Sequence, residues 1–125
     1  MTASAGLLFG AGTAAAGDYC APGYHCVFEY DLGSSRYSFF NTDPDFRNNY
    51  FSDGTSVHNN VWAASNSSTG GYESHYYTGV GTDWGGFLFC VNPGDEVSHA
   101  QLSARDLDDR ASSLRLRGTT SVRCL

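Results

Sequence analysis

The chain has 125 residues, 41% of them apolar and 14% aromatic, with 13 acidic and 7 basic side chains for a net charge of -6. A chain this short folds around one core that buries about two-thirds of its unfolded surface, which excludes a separate catalytic or cofactor domain. The basic residues are scattered arginines, with no lysine; nucleic acid and anionic membranes both need clustered cations, so neither is expected as a partner.

Residues 1–16 carry no charge, centre on Ala5-Gly6-Leu7-Leu8-Phe9 and end in Ala14-Ala15-Ala16. That pattern reads as a secretory signal with an Ala-x-Ala cleavage site, leaving residues 17–125 as the mature, extracellular domain. The apolar stretch falls far short of the roughly 20 residues a membrane span demands. Export to an oxidising compartment makes the four cysteines two disulfides, with three connectivities open. Cys20 and Cys26 frame the turn-forming Ala21-Pro22-Gly23-Tyr24-His25 and are expected to pair, which joins Cys90 to Cys124. A zinc site would need two close pairs, whereas Cys90 and Cys124 are far apart and the histidines are dispersed.

Beyond Cys26, β-branched and aromatic residues come in short runs separated by Gly, Asn, Asp and Ser clusters, with almost no helical periodicity. The spacing predicts antiparallel strands at 25–30, 36–40, 61–65, 72–78, 87–91, 96–102 and 114–117. In Arg36-Tyr37-Ser38-Phe39 and Phe87-Leu88-Phe89-Cys90 apolar positions are frequent enough for one face in a core and the second partly covered. The fold class is therefore all-β, as a sandwich or closed Greek key. Residues 41–60 and 65–71 are long polar loops of the kind that carry recognition. The chain also divides into two similar halves, each opening with an aromatic strand and a Gly-containing hairpin and ending with paired acid or amide residues before a strand.

Four segments carry a family likeness: Cys-x5-Cys followed by Val27-Phe28-Glu29-Tyr30; Asn59-Asn60-Val61-Trp62-Ala63-Ala64-Ser65-Asn66; Cys90-Val91-Asn92-Pro93-Gly94; and Asp108-Asp109-x-x-Ser112-Ser113-Leu114-Arg115. Together they resemble the secreted bacterial proteins of peptidase inhibitor family thirty-six, over nearly all the mature chain. The resemblance implies a βγ-crystallin-like double Greek-key sandwich that blocks a metalloproteinase by inserting a loop; a disulfide-stabilised monomer is expected. The implied inhibitory loop is Cys90, Val91, Asn92 and Pro93. A disulfide would anchor one end, Pro93 fixes a dihedral, and Val91 supplies the bulky apolar side chain that thermolysin-like pockets favour. The same residues also read as a core strand turning at Asn92-Pro93-Gly94.

Asp108 to Ser113 matches the signature by which microbial βγ-crystallins resemble one another as calcium binders. It implies ligands from Asp108, Asp109, Arg110 and Ser112, with Asn60 from the other half. Calcium takes six to eight hard oxygens. In the first half Ala63 stands where a Ser or Thr hydroxyl belongs, and the alternative is a turn whose side chains bond local amides. No cofactor other than calcium is implied.

Catalysis has little support. Neither a Gly-x-Ser-x-Gly elbow nor a His-Glu-x-x-His helix is present, so His25, His58, His75 and His99 are expected in exposed or hydrogen-bonded surface roles, with Glu73 and His75 sharing one strand face. The tyrosines, with Trp62 and Trp84, could form a sugar-binding or protein-binding face beyond what the core absorbs. Trp84, in a glycine-rich hairpin, is the named candidate for partner contact. The expected partner is a secreted protease. A non-enzymatic adaptor docking onto another extracellular protein and a calcium-stabilised protein are the alternatives.

Overall fold

The computed structural model describes residues 19–125, so the signal segment lies outside the described residues. Seven short strands form: β1 (His25–Phe28), β2 (Arg36–Phe39), β3 (Ala63–Asn66), β4 (Glu73–Tyr77), β5 (Phe87–Val91), β6 (Glu96–Val97) and β7 (Ser113–Arg117). A 3-10 turn at Phe46–Asn48 and one helix, α1 (His99–Ser103), complete the elements. All strand pairs are antiparallel, as sequential hairpins allow.

The first sheet has the order β2-β1-β3-β6 and the second β5-β4-β7. The β6 strand belongs by sequence to the second half, yet it closes the edge of the first half's sheet. The exchange is mutual, because Asp43 of the first half bridges Leu114 on β7, with Asp43 N–H donating to Leu114 O at 2.9 Å and Leu114 N–H returning to Asp43 O at 2.8 Å. Each Greek key thus lends its third segment to the other's sheet. The two halves are interlocked and cannot separate without losing strand pairing in both.

Strand alternation divides the side chains. Val27 and Ala64 of the first sheet meet Tyr76, Phe89, Val91 and Leu114 of the second in one buried cluster, with Phe39, Phe46, Phe51, Val57, Val61, Val97 and Leu102 filling the ends. Cys26, Phe28 and Ala63 point to the opposite face and form a second cluster with Cys20. On the second sheet, Glu73, His75 and Tyr77 alternate with Ser74 and Tyr76, yet all five are buried. Both central strands are therefore covered on both faces. Cys20 is bonded to Cys26 and Cys90 to Cys124, so one disulfide ties the segment at the start of the described chain over the first sheet and the other ties the C-terminal tail to the second.

Six of the seven expected strands form, five of them starting within one residue of the expected position and 87–91 matching at both ends. The exception is 96–102, where two strand residues give way to α1. A capping box turns the chain: Ser98 Oγ accepts from Gln101 N–H at 3.3 Å and Gln101 Oε1 accepts from Ser98 N–H at 2.8 Å. The Ser-x-x-Gln spacing is a helix-start signal, and it prevails here because Leu102 reaches the core from a helical turn.

Closing the 34-residue span between Cys90 and Cys124 is worth about 4 kcal/mol on a loop-entropy basis, and the short Cys20–Cys26 ring about 2 kcal/mol. Replacing Cys90 and Cys124 together by Ala should therefore lower the unfolding free energy in guanidinium more than replacing Cys20 and Cys26. Equal losses would mean that the tail is held by its packing alone.

Candidate functional site

A cleft of about 500 Å3 is lined by both sheets and by two polar loops: His25 of β1, Leu116 of β7, Phe40, Asn41 and Thr42 after β2, and Ser68, Thr69, Gly70 and Tyr72 after β3. Phe40 and Tyr72 are 62% and 48% exposed. Each leans on a glycine. A Cβ on Gly70 would meet Tyr72 Cε2 at 3.0 Å and one on Gly23 would meet Phe40 Cε1 at 3.6 Å. The Tyr24 ring braces Phe40 from the side, with centroids 5.4 Å apart.

Two buried side chains shape the loop that carries Tyr72. Asn66 Nδ2 donates to Tyr72 O at 2.8 Å and Val91 O at 2.9 Å, while its Oδ1 accepts from Ser68 N–H at 2.9 Å. Ser68 Oγ then accepts from Gly70 N–H at 3.2 Å and Tyr72 N–H at 3.1 Å. These local bonds replace the strand ladder that ends at Asn66, so the loop is built rather than loose. The imidazole of His25 is 1% exposed, and its Nδ1 lies 2.5 Å from Ser74 Oγ on the facing sheet. Burial pushes its pKa down to about 4, so the ring is neutral at pH 7.

The expected inhibitory residues divide in two. Cys90 and Val91 are buried within β5, and Val91 is 0% exposed in the interlayer core. Val91 therefore cannot enter a protease cleft while the fold is intact, which corrects its expected role. Asn92 and Gly94 are exposed and Pro93 half-buried, in a turn closed by Asp95 N–H to Asn92 O at 3.0 Å and tied down by Gly94 N–H to Asn66 O at 2.8 Å.

The loops before β3 and β7 obey the same internal symmetry as the sheets. Asn59 N–H donates to Ala111 O and Asp109 N–H to Val61 O, both at 3.0 Å. Asn59 and Asp109 share a left-handed backbone, with φ of 60° and 62°. The register is thus shifted by one residue from the sequence alignment: Asn59 matches Asp109, and Trp62, not Ala63, occupies the place of Ser112. Across the symmetry, Ser112 Oγ–H donates to Asn59 Oδ1 at 2.8 Å and the Trp62 indole N–H donates to Asp109 Oδ1. The other residues expected around calcium also have protein partners. Asp108 Oδ2 lies 3.2 Å from His99 Nε2, Arg110 donates to Asp106 O at 2.9 Å, and Asn60 donates to Ser56 O at 2.9 Å. Asn59 Oδ1 and Asp109 Oδ1, two of the oxygens that would face a cation, already accept from protein donors. This donor set does not fit calcium, which needs several such lone pairs converging on one point.

Trp84 is half-buried rather than free. Its ring packs on Tyr77 with centroids 5.4 Å apart, and the Arg115 guanidinium sits 5.6 Å from its centroid. Two of the four histidines, His25 and His75, are fully buried, contrary to the expected surface roles, because terminal segments and the second sheet cover their strands. Glu73 and His75 do share a face, Oε1 to Nε2 at 2.7 Å. Glu73 also accepts from Thr120 N–H at 3.0 Å and Thr120 Oγ–H at 2.7 Å. Burial, the largest influence, raises the Glu73 pKa, but the bonds from His75 and Thr120 together outweigh it and leave it below its ordinary value. Donor atoms of Glu73, His75, Cys90 and Cys124 lie within 4.8 Å of one another, a grouping hidden by sequence distance; the two sulfurs are bonded to each other and offer no thiolate.

No family model and no curated protein sequence matches the chain. A solved structure described as the "evolution of the eye lens beta-gamma-crystallin domain fold" is similar, with a TM-score of 0.57 and 14% identity over 80% of this chain and 90% of that one. The fold is that of a βγ-crystallin domain, with two interlocked Greek keys. Among the described residues no helix is long and apolar enough to cross a membrane.

Three outcomes follow. Burial holds the pKa of His25 and, foremost by the same cause, of His75 below the ordinary value, so the stability their neutral rings support is complete above about pH 6.5 and is lost as pH falls toward 4. For His25 the loss amounts to about 3 kcal/mol. Thermal melts between pH 7 and 4 should show this decline, with a shallower slope for His25→Gln; parallel slopes would assign the acid sensitivity elsewhere. Separately, Trp62→Phe should cost about 0.5–1.5 kcal/mol through the lost indole hydrogen bond, since Asp109 is exposed and takes water in its place. Melts of the unmodified protein in calcium and in chelator should coincide, whereas calcium at a hundred times its Kd would add about 2.7 kcal/mol.

Proposed function

We propose that the protein is a secreted, non-catalytic binding module that recognises its target through the cleft beside Phe40 and Tyr72. One observation carries this reading: two large exposed rings, each resting on a glycine, border one concavity. Rigid, preformed sites lose little entropy on docking. The disulfides support an oxidising, extracellular setting. Calcium has no part in this reading, since Trp62 and Ser112 supply internal donors at the two symmetry-related loops.

The family resemblance supports a second, narrower reading, inhibition of a secreted metalloproteinase. Its favouring observation is the turn at residues 92–95, which follows the disulfide-bonded Cys90 and is pinned to Asn66. In that version the presented residues are Asn92, Pro93, Gly94 and Asp95, with Val91 as the buried anchor behind them.

Titration of thermolysin, subtilisin and trypsin separates the two. The module reading expects all three activities unchanged at micromolar excess. Stoichiometric loss of any one, abolished by substitutions at Asn92 and Pro93 but not at Phe40 and Tyr72, would establish inhibition through the turn and displace the cleft as the working surface.

A further inference from the structure

Resting on the binding-module reading, we infer that the ligand of the cleft is an uncharged glycan chain, stacked between Phe40 and Tyr72 and hydrogen-bonded by the rim. The lining contains no Asp, Glu, Lys or Arg, in a chain with 20 such residues (13 acidic, 7 basic). A phosphorylated, sulfated or carboxylated ligand would find no counter-charge. A purely apolar ligand would leave the polar rim unpaired, at a cost for each group deprived of water. A pyranose matches both features, because one face is a flat array of C–H groups and its edge is a ring of hydroxyls that donate and accept.

The geometry supplies both partners. Phe40 and Tyr72 offer flat apolar faces, and Gly70 and Gly23 set those rings in place before any ligand arrives. At the rim, the Asn41 amide and the Thr69 hydroxyl are exposed and form no hydrogen bond among the described residues. An amide can donate and accept at once, which suits paired sugar hydroxyls. At the floor, His25 uses Nδ1 on Ser74 and leaves Nε2 without a protein partner. With 1% of its surface exposed, the neutral imidazole keeps the floor uncharged and does not itself reach the ligand. The volume, about 500 Å3, lies within the usual range of about 300–1,000 Å3 for sites that bind small ligands.

The test is calorimetric and NMR titration of the oxidised protein with chitotetraose, cellotetraose and mannotetraose, and with oligogalacturonate as the charged probe. One neutral oligosaccharide should bind at submillimolar or lower Kd, with shifts confined to residues around Phe40, Thr69 and Tyr72. Phe40→Ala and Tyr72→Ala should each weaken it by about tenfold or more while keeping the native melting temperature, since both side chains are exposed. Trp84→Ala, which alters an aromatic outside the cleft, should leave the affinity unchanged. Binding that survives both ring substitutions, or a preference for oligogalacturonate, overturns the inference. If no glycan binds but Phe40→Ala and Tyr72→Ala abolish binding of a protein ligand, the glycan inference falls and the module reading stands. If neither class of ligand touches the cleft, both fall.

Discussion

The whole arrangement depends on covering both faces of two sheets with a single short chain. A two-layer sandwich ordinarily buries one face of each sheet and leaves the other wet. Here β1 and β4 are buried on both faces, and the extra cover comes from segments with few apolar residues. The C-terminal tail lies against Glu73 and His75 through Thr120, which hydrogen bonds alone would hold weakly in water. The Cys90–Cys124 bond removes the alternative in which that tail detaches. Cys20 and Cys26 do the same on the other side, where Phe28 and Ala63 would otherwise face solvent. With the covers fixed, Glu73 and His75 become buried, and the network Thr120–Glu73–His75 satisfies the carboxylate and His75 Nε2, while His75 Nδ1 is left without a partner among the described residues.

The interlocking of the halves has a similar consequence at the loops. Because each Greek key lends a segment to the other's sheet, the turns before β3 and β7 face each other, and two side-chain bonds, Ser112 to Asn59 and Trp62 to Asp109, cross the symmetry. The sequence has diverged at one of the two equivalent places, with Trp62 opposite Ser112. An indole N–H and a hydroxyl O–H are both single donors aimed at an Asn or Asp oxygen, so the substitution keeps the hydrogen bond while changing what surrounds it. Trp62 also stacks on His99, with centroids 4.3 Å apart, and meets Tyr30 edge-on. That stack ties the loop before β3 to α1.

Much of the fold was legible because its signals are local. The turn-rich spacer between Cys20 and Cys26 makes their pairing the natural one, and alternating aromatic runs with regular turns predict strands. Over residues 96–102 the Ser98-x-x-Gln101 spacing prevails over strand propensity. The loop register differs from the sequence alignment by one residue, because a Trp in the place of a Ser resembles it only in the direction of its donor. Val91 adjoins an exposed turn, yet it pairs with Ser74 and lies inside. The cleft was not legible at all. Its residues come from the ends of β1, β2, β3 and β7, and each segment alone reads as a polar loop or a strand end.

The contrast between the cleft and a catalytic centre rests on one pair. His25 and Ser74 touch at 2.5 Å, which in isolation resembles a base and its nucleophile. Ser74, however, has no exposed surface, so no substrate atom can approach its hydroxyl. The imidazole is held neutral by burial and has no carboxylate beside it to stabilise the charged form that proton transfer creates. What the pair does instead is join the two sheets beneath the cleft, β1 to β4, at the point where the sandwich would otherwise be free to open. A concavity whose floor is cross-linked and whose walls rest on glycine keeps one shape whether or not it is filled. That is the property a recognition surface needs, and it requires no chemistry from the residues that provide it.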